Sequence, residues 1–193
     1  MTLHCAAMAG LVAAFVIAGS LLIPPGRPAP ALTARTMTGE VWRSPIRGEV
    51  TIVEFSATWC PHCRKSLAGY RELLASRRVR LLVVDVDEDP AVVSAYFARH
   101  PLPPGAGLLI DLEENARKTW GVKDFPTVYL IDKRGVIRDS FAGWDDAGGI
   151  RYLAREIDAL NRSVKVSANK SAEKAGATAP RRQKARKQAA RAR

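Results

Sequence analysis

The sequence predicts an α/β fold: a central mixed β-sheet flanked by helices. Three observations carry that expectation. Short apolar, β-branched runs alternate with helically spaced segments through the middle of the chain. A cysteine pair, Cys60 and Cys63, falls directly between a predicted strand and a predicted helix. The last two predicted strands are joined by a turn too short for a crossover, so they pair antiparallel.

Taken in order, the first 23 residues form a segment of their own. Cys5 to Ile23 is an uncharged run of 19 residues, closed by Pro24, Pro25 and Gly26. As a helix it would reach roughly 28 Å, about one hydrocarbon core. It reads as a membrane anchor or an uncleaved signal, with Ala18, Gly19 and Ser20 small enough for cleavage. A buried core helix is the plainer alternative. Arg27, Arg35, Arg43 and Arg47 follow the run and no Lys or Arg precedes it, a charge pattern that by itself favours a cytoplasmic domain. Residues 24–37 read as a linker, Pro- and Ala-rich over 24–31. Thr33 to Gly48 reads as irregular, with Trp42 and Ile46 as packing points.

The expected domain covers residues 38–161. Val50–Phe55 reads as a strand interrupted by Glu54. Arg64–Arg77 has helical spacing, with Leu67, Tyr70, Leu73 and Leu74 on one side. Val79–Val86 is nearly continuous in apolar residues, as a buried parallel strand requires. Asp89 and Pro90 start a helix to about Arg99. A short strand at Leu108–Ile110 and a short helix at Glu113–Trp120, closed by Gly121, come next. Thr127–Asp132 and Val136–Phe141 are the paired strands, and Asp145 opens a last helix ending near Asn161.

Charge is concentrated at the end. The net charge is +11, but residues 165–193 hold ten Lys or Arg against Glu173 alone, which is +9 of it. That distribution argues against a broad nucleic-acid face. Residues 162–193 read as a basic, disordered tail capable of weak contact with anionic surfaces and of no specific nucleic-acid recognition. With three cysteines, a disulfide-stapled miniature is excluded. Cys5 reads as a small apolar filler.

The chemistry concentrates at Trp59-Cys60-Pro61-His62-Cys63. Cys60 falls where a helix begins, and free backbone N–H groups there favour a thiolate. Cys63 lies three residues on, on the same side of the first turn, placed to attack a mixed disulfide on Cys60. Pro61 suits a first turn, where its missing N–H costs nothing. Trp59 covers the thiolate's edge. His62 between the cysteines would stabilise the thiolate further and make the disulfide more oxidising; the plainer reading is an exposed helix residue. Half a zinc site is the structural alternative for the pair. It lacks two further ligands, since His4 and His100 have no motif around them. An inert disulfide is the other alternative. No metal or diffusible cofactor is expected.

At this point the chain resembles the thioredoxin superfamily, and more closely its extracytoplasmic, membrane-tethered branch typified by TlpA and ResA, which reduce disulfides in proteins such as apocytochromes. The resemblance covers about residues 38–160. It rests on TIVEFSATWCPHC at 51–63, VVDVDED at 83–89, LLIDLEENARKTWGV at 108–122, FPTVYLID at 125–132 and the turn at Gly135. It implies a thioredoxin-like fold and makes Pro126 a cis-proline beside the cysteines, where it helps hold the client backbone. A trans proline at a strand start is the plainer reading. Phe125 before it departs from the smaller or β-branched residue usual there. Glu54 matches the buried acid of thioredoxin, implying a proton relay to Cys63; an outward-facing strand glutamate paired with an arginine is the alternative. Pro61-His62 matches the DsbA-type oxidases, but residues 64–125 have no room for that family's helical insertion.

The expected protein is therefore a thiol–disulfide oxidoreductase acting on exported protein clients through Cys60 and Cys63, as a reductase of apocytochrome or general type. A disulfide-donating oxidase of the same fold and a non-catalytic, membrane-tethered binding module are the rivals. Its partners are protein thiols and disulfides and a membrane or periplasmic thiol redox protein. The expected location is the inner membrane, single-pass with the catalytic domain outside, or exported after cleavage.

Overall fold

The structure is a computed structural model that describes residues 22–87, 89–145 and 148–176, with side chains of the last helix described to residue 162. The anchor expected over residues 1–23 thus lies almost wholly outside the described residues. Among the described residues, no helix is long and apolar enough to cross a membrane.

Seven strands form one mixed sheet in the order β2-β1-β5-β4-β3-β6-β7. They are β1 (Leu32–Arg35), β2 (Val41–Ser44), β3 (Thr51–Ser56), β4 (Arg80–Asp85), β5 (Gly107–Ile110), β6 (Thr127–Ile131) and β7 (Ile137–Ala142). The helices are α1 (Pro61–Ser76), α2 (Pro90–Arg99), α3 (Asn115–Thr119) and α4 (Gly148–Gly176). β3, β4 and β5 run parallel at the centre, connected through α1 and α2. β6 lies antiparallel to β3, and β7 antiparallel to β6. This is the expected thioredoxin-like α/β architecture.

Both faces of the sheet are covered, so β3 is buried along its whole length and β4 everywhere but Arg80, and both read as largely apolar runs. One core joins Ile52, Leu81 and Val83 of the sheet to Leu67, Tyr70 and Leu73 of α1, Val93 and Phe97 of α2, and Leu153 and Ile157 of α4. The other joins Val53, Phe55, Val84 and Tyr129 to Ala116 of α3 and to Trp120. Gly69 lets α4 approach α1: a Cβ there would stand 2.7 Å from Ile150 Cγ1. Gly135 is required by the β6–β7 turn, where φ is +81° and a Cβ would meet the Ile46 carbonyl at 2.8 Å. Asp111 caps α3 from outside it, accepting from the Ala116 N–H at 2.9 Å and the Arg117 N–H at 2.6 Å.

Three stretches differ from the sequence reading. Residues 33–48 are a hairpin, with β1 and β2 paired from Leu32↔Ser44 to Arg35↔Val41. Each strand has only four residues, too short for a legible alternation, and β2 forms the sheet edge. The 24–31 stretch is not a free spacer. Ala29 N–H donates to the Gly135 carbonyl and Ile137 N–H to the Arg27 carbonyl, both at the β6–β7 end of the sheet. The Ile23 N–H donates to Tyr129 Oη at 3.3 Å. α4 continues to Gly176, past the expected end near Asn161 and into the stretch read as disordered. Ala, Lys and Glu in that stretch are good helix formers, which the charge count had outweighed.

Candidate active site

The site sits where β3 ends and α1 begins. Ser56 ends the strand, the chain turns through Ala57, Thr58 and Trp59, and Cys60 is the N-cap of α1. Cys60 Sγ accepts from the Cys63 N–H at 3.2 Å, so the sulfur takes the position of a capping oxygen against the helix N-terminus. Pro61 occupies the first turn, as expected. Cys60 and Cys63 are joined as a disulfide, with Cα atoms 5.3 Å apart. Both are buried, with Ala57 beside them and Val86 and Phe125 packed over them.

Phe125–Pro126 is a cis peptide bond. It comes immediately before β6, whose Thr127 is in register with Phe55. Phe125 packs on the cysteines, and the Trp59 ring meets the Phe125 ring edge-on with centroids 5.9 Å apart. Trp59 is 68% exposed, the most exposed large apolar side chain among the described residues. It also lines a cleft with Val86, Asp87, Asp89 and Val92. His62 is exposed at the outer end of α1.

Glu54 faces inward, not outward to an arginine. It is fully buried on the face of β3 that α1 covers. Tyr70 Oη donates to its Oε2 at 2.7 Å, and Ser66 Oγ lies 2.8 Å from its Oε1. Ser66 and Tyr70 stand three and seven residues beyond Cys63, on the same buried side of α1. Among the described residues, no cation is paired with Glu54. Burial therefore dominates, and its pKa is pushed up to about 8 despite the two hydroxyl partners. The same burial raises Tyr70, and the neighbouring Glu54 raises it further.

A second buried acid lies at the end of β4. Asp85 is in register with Ser56. One carboxyl oxygen accepts from the Asp87 N–H at 3.0 Å, and the other has no hydrogen-bond partner among the described residues. Burial pushes this carboxyl up to about 8 as well. Asp87 in turn accepts from the Thr58 N–H at 2.7 Å, which ties the end of β4 to the turn before Cys60.

The structure thus packs Phe125 on Cys60 and Cys63 and Trp59 on Phe125, with Pro61 and Pro126 next to them in the chain, and links Glu54 through Ser66 to the Cys63 carbonyl. Sequence reasoning missed Ser66 and Asp85. Ser66 had a signal: it is the one serine on the buried side of α1, where Cys63, Leu67 and Tyr70 fall. Asp85 had none, since one acid among Asp85, Asp87, Glu88 and Asp89 looks like any other.

A family model described as the AhpC/TSA family matches residues 25–140, well over half of the chain. The chain belongs to the AhpC/TSA family. Within the thioredoxin superfamily, this AhpC/TSA member is a TlpA/ResA/DsbE-like thiol–disulfide oxidoreductase. It is 29% identical over 159 residues to the thiol:disulfide interchange protein DsbE of Pseudomonas fluorescens biotype C, covering 75% of this chain and 88% of that one. It is 28% identical over 122 residues to the thiol-disulfide oxidoreductase ResA of Geobacillus thermodenitrificans, covering 61% and 69%. Among solved structures, a putative thiol:disulfide interchange protein DsbE from Chlorobium tepidum matches with a TM-score of 0.64 and 25% identity, over 72% of this chain and 98% of that one. The AhpC/TSA member's fold and its exchange chemistry are therefore as the sequence led one to expect. Its activity is the making and breaking of disulfides with protein thiols.

Proposed function

We propose that the protein is an extracytoplasmic reductase of exported proteins, held at the membrane by residues 1–23. The observation that carries the catalytic part is the polar stack under the cysteines: a disulfide at a helix start with a cation-free buried acid behind it. In the reduced enzyme, Cys60 is the nucleophile, its thiolate favoured by the N-terminus of α1. It attacks one sulfur of a client disulfide, forming a mixed disulfide and releasing a client thiolate. Cys63 passes its proton to the Glu54 carboxylate and attacks Cys60 Sγ. That step frees the second client sulfur and leaves the Cys60–Cys63 disulfide. A partner dithiol then supplies the two electrons that reopen it, and Glu54 returns the proton to Cys63.

Pro126 and Phe125 present the client backbone, and Trp59 packs on the client side chains. A membrane-side thiol donor and an apocytochrome-type client belong to the same reading, on the resemblance of the sequence to the TlpA and ResA branch. The basic tail adds weak attraction to anionic surfaces.

One observation favours a second reading. Pro61 and His62 between the cysteines point to a disulfide-donating oxidase. Equilibration of the full chain with glutathione decides the direction. A potential well below about −200 mV fits a reductase, and one near −120 mV fits a strong oxidant. His62→Pro should lower the potential, and an unchanged or higher value would remove His62 as the tuning group. Trapping with Cys63→Ser should capture exported client proteins on Cys60, and recovery of cytoplasmic proteins alone would refute the location.

A further inference from the structure

Ser66 Oγ stands within hydrogen-bond reach of two acceptors, Glu54 Oε1 at 2.8 Å and the Cys63 carbonyl oxygen at 2.9 Å. A serine hydroxyl carries one proton, so it can serve only one of them at a time. Tyr70 Oη, at 2.7 Å from Glu54 Oε2, holds the other carboxyl oxygen. Glu54, Ser66 and Tyr70 are fully buried and Cys63 is 1% exposed, so the bulk solvent does not reach these groups.

Counting donors gives two closed arrangements. With Glu54 protonated, its O–H donates to Ser66 Oγ, and Ser66 donates onward to the Cys63 carbonyl. With Glu54 ionised, Ser66 turns its proton to Oε1, and the carboxylate keeps two donors, one on each oxygen. The turn is inexpensive because the Cys63 carbonyl is already an acceptor in the helical ladder of α1. No third arrangement satisfies every group.

We propose that Ser66 is a positioning residue whose hydroxyl reverses direction each time Glu54 gains or loses the proton of Cys63. When a partner dithiol opens the Cys60–Cys63 disulfide, Cys63 leaves as a thiolate and takes the Glu54 proton. The Ser66 hydroxyl then swings from the Cys63 carbonyl to the new carboxylate. When the disulfide re-forms, Cys63 returns the proton and the hydroxyl swings back. Nothing is oxidised or reduced at Ser66. Its contribution is to supply the carboxylate with a donor that the acid form does not need, and so to keep Glu54 able to ionise inside an apolar layer. This rests on the reading of Glu54 as the proton carrier for Cys63.

The test is a titration of the disulfide form of the full chain, with ¹³C-labelled glutamate carboxyls followed by NMR. Glu54→Gln identifies the Glu54 signal by its loss. In the unmodified protein that carboxyl should titrate near 8. Ser66→Ala removes one of two donors to the carboxylate, and the midpoint should rise by about one pH unit or more. Ser66→Thr keeps the hydroxyl and should hold the midpoint within a few tenths of the original. A well-folded Ser66→Ala with an unmoved midpoint overturns the proposal, as does Ser66→Thr shifting as far as Ser66→Ala. The pH dependence of disulfide opening by dithiothreitol is the companion measurement. Its inflection should follow the NMR midpoint in each variant. An inflection that persists in Glu54→Gln sinks Glu54 as the proton carrier and Ser66 with it. An inflection lost in Glu54→Gln but unshifted in Ser66→Ala sinks Ser66 alone.

Discussion

Two strand acids of this protein are taken from water and go opposite ways. Glu54, mid-strand in β3, is fully buried and its pKa is pushed up to about 8. Asp132, just past β6, is only 7% exposed, yet its carboxyl is held below the usual range. Burial alone would raise both. Asp132 accepts from the Val136 N–H at 3.0 Å, the Arg134 N–H at 2.9 Å and the Arg138 guanidinium at 2.9 and 2.5 Å. Glu54 has two neutral hydroxyls and, among the described residues, no cation. The difference is one of partner charge, and it separates tasks. Asp132 is fixed as an anion and shapes the turn through which Gly135 passes. Glu54 is left close to neutrality, where a group can both give and take a proton.

The sharpest way to break this contrast is the exchange reaction. Glu54→Gln keeps shape and hydrogen bonds but cannot carry a proton. Exchange with a small dithiol at pH 7 should fall by about 10²–10⁴, the usual worth of a general acid–base. Asp132→Asn should leave the rate unchanged once the fraction folded is accounted for. Stopped-flow fluorescence on the same dithiol checks both. A Glu54→Gln enzyme within threefold of the original would end the proton role.

The next effect is on stability, where the signs are opposed. Glu54 has a folded pKa above its unfolded value of 4.5. Its favourable contribution is complete below pH 4.5 and is lost as pH rises through 8, so Glu54→Gln should gain stability relative to the original over that window. The relative gain should reach about 3–5 kcal/mol above pH 8. Asp132 has a folded pKa below its unfolded value of 3.8. Its contribution is present above 3.8 and is lost as pH falls through the lower folded value. Asp132→Asn should therefore cost about 2 kcal/mol at pH 7, less than a sealed ion pair because Arg138 is 35% exposed. That cost should vanish in acid. Urea unfolding of the disulfide forms at several pH values gives both curves. Parallel curves for the two variants would refute the partner-charge account.

The contrast also shows what a sequence can reveal. Cys60 and Cys63, the strand before them and the helix after them were legible because each is a local pattern: a spacing, an apolar run, a proline in a first turn. The position of Pro126 beside them came through resemblance, since no local rule brings residue 126 to residue 60. The burial of Glu54 likewise came through resemblance, to the buried acid of thioredoxin, since its strand alone left an outward-facing glutamate open. Ser66 and Tyr70 as its partners required the register of α1 over β3, a tertiary fact. The β1–β2 hairpin and the strap at residues 22–31 stayed hidden for a related reason. The hairpin strands are held by each other and by the Arg35↔Ile110 pairing with β5, and the strap by bonds to the β6–β7 end, rather than by any periodicity of their own.

Asp85 supplies the finest test, because it shares the burial of Glu54 and lacks its connections. Its bonded oxygen goes to the Asp87 N–H, and Asp87 goes on to Thr58. None of the bonds found for its carboxyl leads to α1. It too is raised to about 8, first by burial and then by the Asp87 carboxylate, so it too should weaken the fold as pH rises from 3.8 through 8. If partner charge governs pKa while connection to Cys63 governs chemistry, the two effects must part company here. Asp85→Asn should gain about 3–4 kcal/mol at pH 9 relative to pH 5 by urea unfolding. Its exchange rate should stay within about threefold of the original, the residual effect passing through the Thr58 turn. The inflection near pH 8 in disulfide opening should remain. Its loss in Asp85→Asn would mean that a proton shared between two strand ends, not one held under α1, sets the reactivity of Cys63.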